Sequence, residues 1–526
     1  MIRHFILLCI CLAMVTNNAI AQSTGMLDSS FGVHGILKPD STAISGRTQM
    51  ALQTDGRIVT AFSTVMVMIS GQINYYLVIS RFLPNGAIDS SFNDSGRISI
   101  PIPLLSDAAG IGLQSTGKIV VLASTGYYQG NAAQLFRLEK NGQVDSSLFQ
   151  VDVHHISPPS VTYYTEYNDM QIDNLDRIWL SGVVNASYPD IHCYTPDGKL
   201  DSTLGPLDAQ LTPKPDFLPR GILSQDDGSL IIVGNTRSHL FVARYYSDGA
   251  VDTNFNPIGH AGIMFADRLM WPWARITKTQ SGSYIVAFMT VDRQNKFLNC
   301  MLVALKANGI IDSAWGDNGS HCVDSVSVKL YHLLLFPKVK TQYDGKILVT
   351  FGSSNQFGGG QFTLYRLFAN GAPDYTFGTN GKQTVALTPS ESVAENLEIQ
   401  TDGKIVLAGK WRSSGFPYRI GLVRYLSSVA DAGNNAKSCS SFNLKLSPNP
   451  ISRASKMEYR LQKDGIVNVD VFSIDGKLFA NILTRAQRWQ GANADHFEIA
   501  DSWPGGMYIL RLFADNDFCS IRFLKQ

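Results

Sequence analysis

Along most of the chain, short apolar runs alternate with clusters of turn-forming residues. The run LQTDGRIVTAF (52–62) sets the pattern, and LQSTGKIVVLA (113–123) and IQTDGKIVLAG (399–409) repeat it. Four further variants lie between them. Each is followed by a second apolar run, which in five of the seven carries arginine beside or near an aromatic, as in VISRFLPNG (78–86) and VARYYSDG (242–249). Runs this short, rich in β-branched residues and bounded by Asp-Gly or Asn-Gly, predict strands joined by tight hairpins with two-residue type I′ turns.

A third element keeps the same period. MLDSSFGVHG (26–35) returns as IDSSFNDSG, VDSSLF, LDSTLG, VDTNFNPIG, IDSAWGDNG and PDYTFGTNG, with its aspartate at 28, 89, 145, 201, 252, 312 and 374. The steps of 61, 56, 56, 51, 60 and 62 residues are those of a solenoid, a propeller or an array. Each unit reads as four strands, a to d, with the aspartate motif on strand d. The predicted fold class is therefore all-β, a propeller of four-stranded antiparallel blades. The first d strand, Met26–Phe31, has no strand before it, and the last c strand, Gly421–Ser427, has no d strand after it. Pairing these two ends closes a seven-bladed ring and removes two exposed edges. Within the third unit Leu175-Asp176 stands where the others carry Asp-Gly.

These units resemble the delta-60 repeat, with its DGKI and LDxxFGxxG elements, and the layout is similar to NHL-type propellers. The resemblance spans residues 22–428 and implies the propeller fold without any activity. After a polar linker at 429–441 the repeats stop. Residues 442–526 alternate as strands with turns at Asp464-Gly465 and Asp475-Gly476, which predicts a small Ig-like β-sandwich. Pro448-Asn449-Pro450, VFSIDGKLF (471–479), GMYIL (506–510) and Lys525 resemble the type A C-terminal sorting domain of the type IX secretion system. That resemblance implies the secretion machinery as a partner and the outer cell surface or medium as the destination. Residues 1–21 fit a signal peptide: Arg3 and His4, an apolar run too short to span a bilayer, then Ala19-Ile20-Ala21. No transmembrane span is expected in the mature chain.

Composition narrows the function. Against 44 Lys and Arg stand 43 Asp and Glu, with no basic tract, so nucleic acid is not an expected partner. No catalytic motif, phosphate loop or zinc pattern occurs, and no catalytic residue, cofactor or metal is expected. His154-His155 sits in a long loop and reads as solvated. The repeated aspartate reads as a turn cap rather than a calcium ligand. Of the cysteines outside the leader, Cys439 and Cys519 are the pair to test for a bond.

The a–b and c–d turns are tight, whereas the b–c and d–a connections are long and variable, so one face carries the long loops. Variable loops on a rigid scaffold are where binding concentrates. The candidate ligand-binding aromatics there are Tyr128, Tyr164, Tyr188, Trp271, Trp273, Trp411 and Tyr418, suited to stacking on a glycan or anchoring a protein, or else to loop packing; Phe416 lies among them. Near the starts of the a strands stand Arg47, Asp107, Asp169, Arg220, Arg275, Lys338 and Glu395, a mixture ill suited to holding a divalent cation. The reading is an exported binding propeller. A propeller enzyme acting on an extracellular polysaccharide and a structural surface component are the alternatives.

Overall fold

The structure is a computed structural model that describes residues 25–426 and 442–525, apart from 40–41, 68–72, 103–105, 125–132, 148–149, 154–164, 185–187, 205–216, 237–238, 257–259, 265–267, 293–296, 328–336, 355–359, 474–477, 501–502 and 515–516. The described residues are all-β save for one 3-10 turn at Ser202–Leu204. Seven small antiparallel sheets follow one another along residues 25–426. The first is built from Thr48–Leu52, Ile58–Val67, Ile73–Phe82 and Arg97–Ile102, in chain order. The others begin with Asp107–Leu113, Thr165–Ile172, Leu218–Ser224, Arg268–Lys278, Lys338–Thr341 and Glu391–Ile399. The second, fourth and fifth repeat that order, the third has three strands among the described residues, the sixth adds the short Ser353–Ser354, and the last takes its fourth strand, Ile36–Leu37, from the N-terminal segment.

These first strands lie side by side in sequence order, and Glu391–Ile399 also neighbours Thr48–Leu52. Backbones come close there: a Cβ on Gly110 would sit 2.5 Å from the Cβ of Met170 in the next sheet. Apolar cores fill the spaces between consecutive sheets. One of these cores joins Phe62 and Val78 of the first sheet to Val406 and Leu422 of the last. The second and third strands are covered on both faces. Every residue of Ile119–Ser124 and Ala133–Leu138 is buried, which is why KIVVLA runs apolar instead of alternating.

Two local expectations are corrected. The hairpin turns are not two-residue type I′. Gln53 N donates to Arg57 O at 2.8 Å and Gly56 N to Gln53 O at 2.8 Å, and only the glycine has positive φ, +82°. This is a three-residue loop, a type I turn ending on a left-handed glycine. Asp176 takes that position in the third sheet, with φ +61°.

The aspartate motif is not strand d. It folds as a turn between strand c and a later strand d such as Arg97–Ile102. In the first copy, Met26–Phe31 is likewise not a strand; Leu27 makes an isolated bridge to Tyr425, and Ile36–Leu37 is the strand that pairs with Arg419–Tyr425. The motif bends because its aspartate caps it. Asp89 Oδ1 accepts from Ser91 N at 3.2 Å and from Ser91 Oγ at 2.6 Å, and Asp28, Asp145 and Asp374 do the same with Ser30, Ser147 and Thr376.

The other carboxylate oxygen does more. It meets an arginine of strand c, eight residues back in four sheets, in the pairs Arg81–Asp89, Arg137–Asp145, Arg244–Asp252 and Arg366–Asp374; in the last sheet Arg424 meets Asp28. All five ion pairs are 2.6–2.8 Å long. The motif phenylalanine lies under the arginine in four of them, 4.3–4.9 Å from guanidinium carbon to ring centre. In three of the five pairs Nη2 donates to the motif serine and Nη1 reaches the next sheet: Arg81 Nη1 donates to Lys140 O at 2.5 Å, Arg137 Nη1 to Pro196 O and Arg424 Nη1 to Pro84 O. One side chain thus ties its own turn to its neighbour's.

The fifth and third sheets depart from this scheme. Ala304 and Cys193 stand where the arginine would be, eight residues before Asp312 and Asp201. The sulfur environment of Cys193 and of Cys300 is buried, and burial pushes both thiols up, whereas Cys322 is exposed.

Residues 442–525 form two further antiparallel sheets. Lys445–Ser447, Ala454–Leu461 and Gly491–Glu498 make one; Gly465–Ser473, Leu478–Arg488, Gly506–Ala514 and Asp517–Lys525 make the other. Both contribute to one core that includes Met457, Tyr459, Val469, Leu510 and Phe523. Along Ala454–Leu461 exposed and buried residues largely alternate, as in a strand with one wet face. Cys439 lies outside the described residues, and so does the Cys519 side chain.

The Asp374–Arg366 pair is fully buried, at 0% and 1% side-chain exposure. Removing one member of such a pair strands the other, which costs about 3–5 kcal/mol. Asp374→Ala should therefore lower unfolding free energy by about that much, while Asp312→Ala, which loses only a turn cap, should cost about 1 kcal/mol. Equal losses in denaturant melts would refute the role of the arginine.

The same pairs set an acid limit. Burial raises the pKa of Asp28, Asp89, Asp145, Asp252 and Asp374, but hydrogen bonds and the facing cations outweigh it and leave all five below the ordinary value. Their contribution is complete above the unfolded aspartate pKa of about 3.9 and is lost as pH falls through the depressed folded values. These pairs should leave the melting temperature unchanged between about pH 5 and 7 and make it fall steeply below about pH 4.

Candidate functional site

The charged residues of the first strands come together. A cavity of about 160 Å³ is lined by residues from all seven first strands, including Gln49, Gly110, Asp169, Arg275, Lys338 and Asn396. A smaller one beside it is bounded by Arg47, Thr48, Gln49, Arg275, Lys338 and Glu395. Asp169, Arg275 and Glu395 stand at or beyond the middle of their strands, Thr165–Ile172, Arg268–Lys278 and Glu391–Ile399, so this charge lies part-way along the ring of first strands and not at their entry.

Most of these charges are matched. Arg47 pairs with Asp107 at 3.1 Å and Lys410 with Glu395 at 2.8 Å. Lys340 pairs with Glu398 at 3.0 Å, and Arg275 Nε lies 3.9 Å from Asp169. The carboxylates also accept from backbone: Glu395 from Thr48 N at 2.8 Å and Asp169 from Ile222 N at 3.0 Å. Carboxylates so engaged, each turned to a different strand, do not converge on a shared point as a divalent cation requires. Arg275 donates to Arg220 O at 2.5 Å and to Asn168 O at 2.7 Å, and its Nε has no hydrogen-bond partner among the described residues.

Arg220 and Lys338 are the exceptions. Neither has a described carboxylate within ion-pair distance; Arg220 lies over the Trp273 ring, whereas Lys338 adds a positive charge that nothing offsets directly. Burial, with the nearby Arg275 charge second, pushes its pKa down to about 7. Lys340 and Glu398 also line the larger cavity, two residues beyond Lys338 and Asn396 on their strands, and that period-two spacing is the sequence signal for them; Lys410, on the second strand Ile405–Arg412, carries no such signal.

The candidate aromatics divide. Trp273 and Trp411 are 5% and 9% exposed, so they pack rather than face solvent. Trp411 donates from Nε1 to Ile420 O at 3.0 Å. Tyr418 donates to Glu391 at 2.6 Å and lies beneath Arg412. Tyr188 is 60% exposed, as is Phe416 at 58%. Trp271 lies on the strand Arg268–Lys278, beside a bulge, with its side chain outside the described residues. Tyr128 and Tyr164 fall outside them entirely, and so do His154 and His155.

A second hollow was not foreseen. A cleft of about 520 Å³ opens between the outer strands of the fifth and sixth sheets, lined by His321, Asp324, Tyr365 and Lys382 among others. Asp324 accepts from Tyr365 Oη and from Lys382 Nζ, the latter at 2.8 Å, and burial lowers the His321 pKa. The residues come from strands that are distant in sequence, which hides the cluster from a linear reading.

A family model agrees with this architecture. Residues 114–148, 225–255 and 342–377 match the family model described as a domain of unknown function (DUF5122) beta-propeller. No curated protein matches the chain. Among solved structures, a protein of unknown function from Dyadobacter fermentans is similar over 75% of this chain and 99% of its own, at 12% identity and a TM-score of 0.39. The polysaccharide lyase Uly1 is similar over 74% and 98%, at 10% identity and a TM-score of 0.41. The Nup133 β-propeller domain of Vanderwaltozyma polyspora is similar over 72% and 100%, at 9% identity and a TM-score of 0.34. Likeness this distant bears on neither ligand nor chemistry. The chain carries a β-propeller domain.

The channel lysine has a pH signature of its own. An unfolded lysine keeps its proton to about pH 10.4, whereas the folded group releases it near pH 7, so between those values the unfolded chain binds more protons and stability rises with pH. Lys338→Met should raise the melting temperature at pH 7 and remove that part of the rise between pH 7 and 10. A lower melting temperature for the variant would show that Lys338 is paired.

Proposed function

We propose that this chain is an exported, non-catalytic binding protein. Its seven sheets are the blades of a closed β-propeller, completed by the N-terminal segment beside the last c strand. Its long-loop face takes an extracellular glycan or protein. Residues 1–21 direct export, and the Ig-like C-terminal domain is the address read by type IX secretion machinery, with the outer surface or the medium as destination.

The observation that carries the binding reading is the contrast between the two ends of the sheets. At the tight-turn end, the arginines and aspartates are used up in holding turns and neighbouring sheets together. Inside the ring, part-way along the first strands, charge that is not fully neutralised gathers around a cavity, and at the other end Tyr188 and Phe416 are exposed. A rigid frame with one chemically unspent face is the arrangement of a binding module. The outer cleft favours a second reading, an enzyme acting on an extracellular polysaccharide, because it brings His321, Tyr365 and Lys382 around Asp324. Against it, Tyr365 and Lys382 both spend themselves on that carboxylate.

A glycan and surface-protein screen on the purified protein tests the reading. For any ligand found, Tyr188→Ala or Phe416→Ala should cost about 2 kcal/mol, roughly thirtyfold in affinity, with unchanged melting temperature. A ligand indifferent to both, yet lost on Asn85→Ala or Asn308→Ala in the tight turns, would place binding on the opposite face.

Export has its own test. Removing residues 442–526 should leave a folded propeller in the periplasm; normal surface delivery of the shortened chain would refute the sorting role. Removing residues 25–37 should expose the strand Arg419–Tyr425 and cause aggregation. An unchanged thermal melt would refute ring closure.

A further inference from the structure

The cavity ringed by the seven first strands has a specific chemistry. Around it, Arg47, Lys410 and Lys340 each have a carboxylate at 2.8–3.1 Å, and Arg275 has one at 3.9 Å. Lys338 has none among the described residues, and Arg275 Nε and Arg220 Nε are buried without a hydrogen-bond partner. Arg220 instead lies over the Trp273 ring, 5.5 Å from its centre. Of these groups Lys338 and Arg275 line the hollow and Arg220 does not; a cation without a carboxylate beside a buried Nε without a hydrogen-bond partner makes an unfilled anion site, because a buried donor left alone carries a desolvation cost that an oxyanion would offset.

We infer that the propeller channel binds a small oxyanion, a carboxylate or a phosphate or sulfate group, held by the Lys338 ammonium and Arg275 Nε. The volume, about 160 Å³, admits such a group and not a polymer segment. A larger ligand would therefore insert only a charged terminus or substituent. Thr48 and Gln49 border the adjoining hollow beside both cations and offer neutral polar groups to the remaining oxygens. The lowered pKa of Lys338 agrees with a site lacking its counter-charge, since a bound anion would restore the proton. This inference deepens the binding reading and rests on the long-loop end being the working one.

The test uses the full-length protein at low ionic strength and pH 7. Malonate, phosphate and sulfate are titrated separately by calorimetry and by thermal shift. At least one should bind saturably and raise the melting temperature. Lys338→Met should weaken it about tenfold or more, whereas Lys199→Met, which removes a positive charge from an exposed turn, should leave it unchanged. Preference for malonate assigns a carboxylate site, and preference for the tetrahedral anions assigns the other. As a second readout, the anion that binds should protect Lys338 from amine acylation, scored by peptide mass spectrometry. Absence of saturable binding, or equal binding by Lys338→Met, overturns the inference. A loop-face ligand whose affinity is indifferent to Lys338→Met would leave the face intact and refute the anion site alone.

Discussion

The arginine–aspartate pair at the end of strand c is the interaction on which the rest of the propeller depends. It joins three scales of structure in one place. The aspartate closes a local turn with one oxygen and meets the arginine with the other, while the arginine reaches the backbone of the next sheet. Backbone carbonyls at sheet ends have no ladder partner, and a planar guanidinium with five donors can satisfy one of them while still holding its carboxylate. The phenylalanine beneath it excludes water, which strengthens the pair without leaving it unpaired. Lysine could not do this, because a single ammonium cannot address the carboxylate, the neighbouring carbonyl and the ring in fixed directions.

The latch also explains the asymmetry of the sheets. Strands b and c are covered on both faces and can be apolar throughout, so sheet-to-sheet adhesion comes from cores such as the one joining Val59 and Ile79 to Val121 and Phe136. Such adhesion has no direction. The polar latches supply register at one end of each sheet, and the other end is then free to carry connections of any length. Function is expected where geometry does not consume the side chains.

The channel follows from the same architecture. Innermost strands that approach closely enough for Gly110 to face Met170 leave little room for side chains, and those that do point inward are forced together. Charges gathered in this way must be paired or neutralised, and most are. What remains around Lys338 is a departure from local neutrality that packing does not require, in a part of the molecule where a buried cation is costly.

Much of the fold was legible in the sequence because its determinants are local and repeated. Period and hairpins are written in turn glycines and apolar runs, and the aspartate is recognisable as a cap because its partner is only two residues away. The turn type was misjudged because Asp-Gly suits both a type I′ turn and a type I turn with a left-handed glycine; hydrogen bonds across the loop decide between them. LDSSF has the composition of a strand, and only the capping carboxylate and the arginine eight residues away bend it into a turn. Trp273 and Trp411 read as loop aromatics from their place in the chain, yet neighbouring strands bury them. The channel charges could be named from position along the first strands, but which of them would be matched could not. Pairing such as Lys410 with Glu395 or Lys340 with Glu398 joins residues whose proximity is created by the sheets themselves. Local chemistry writes the repeat into the sequence; the balance of charge at its centre exists only once the sheets are brought together.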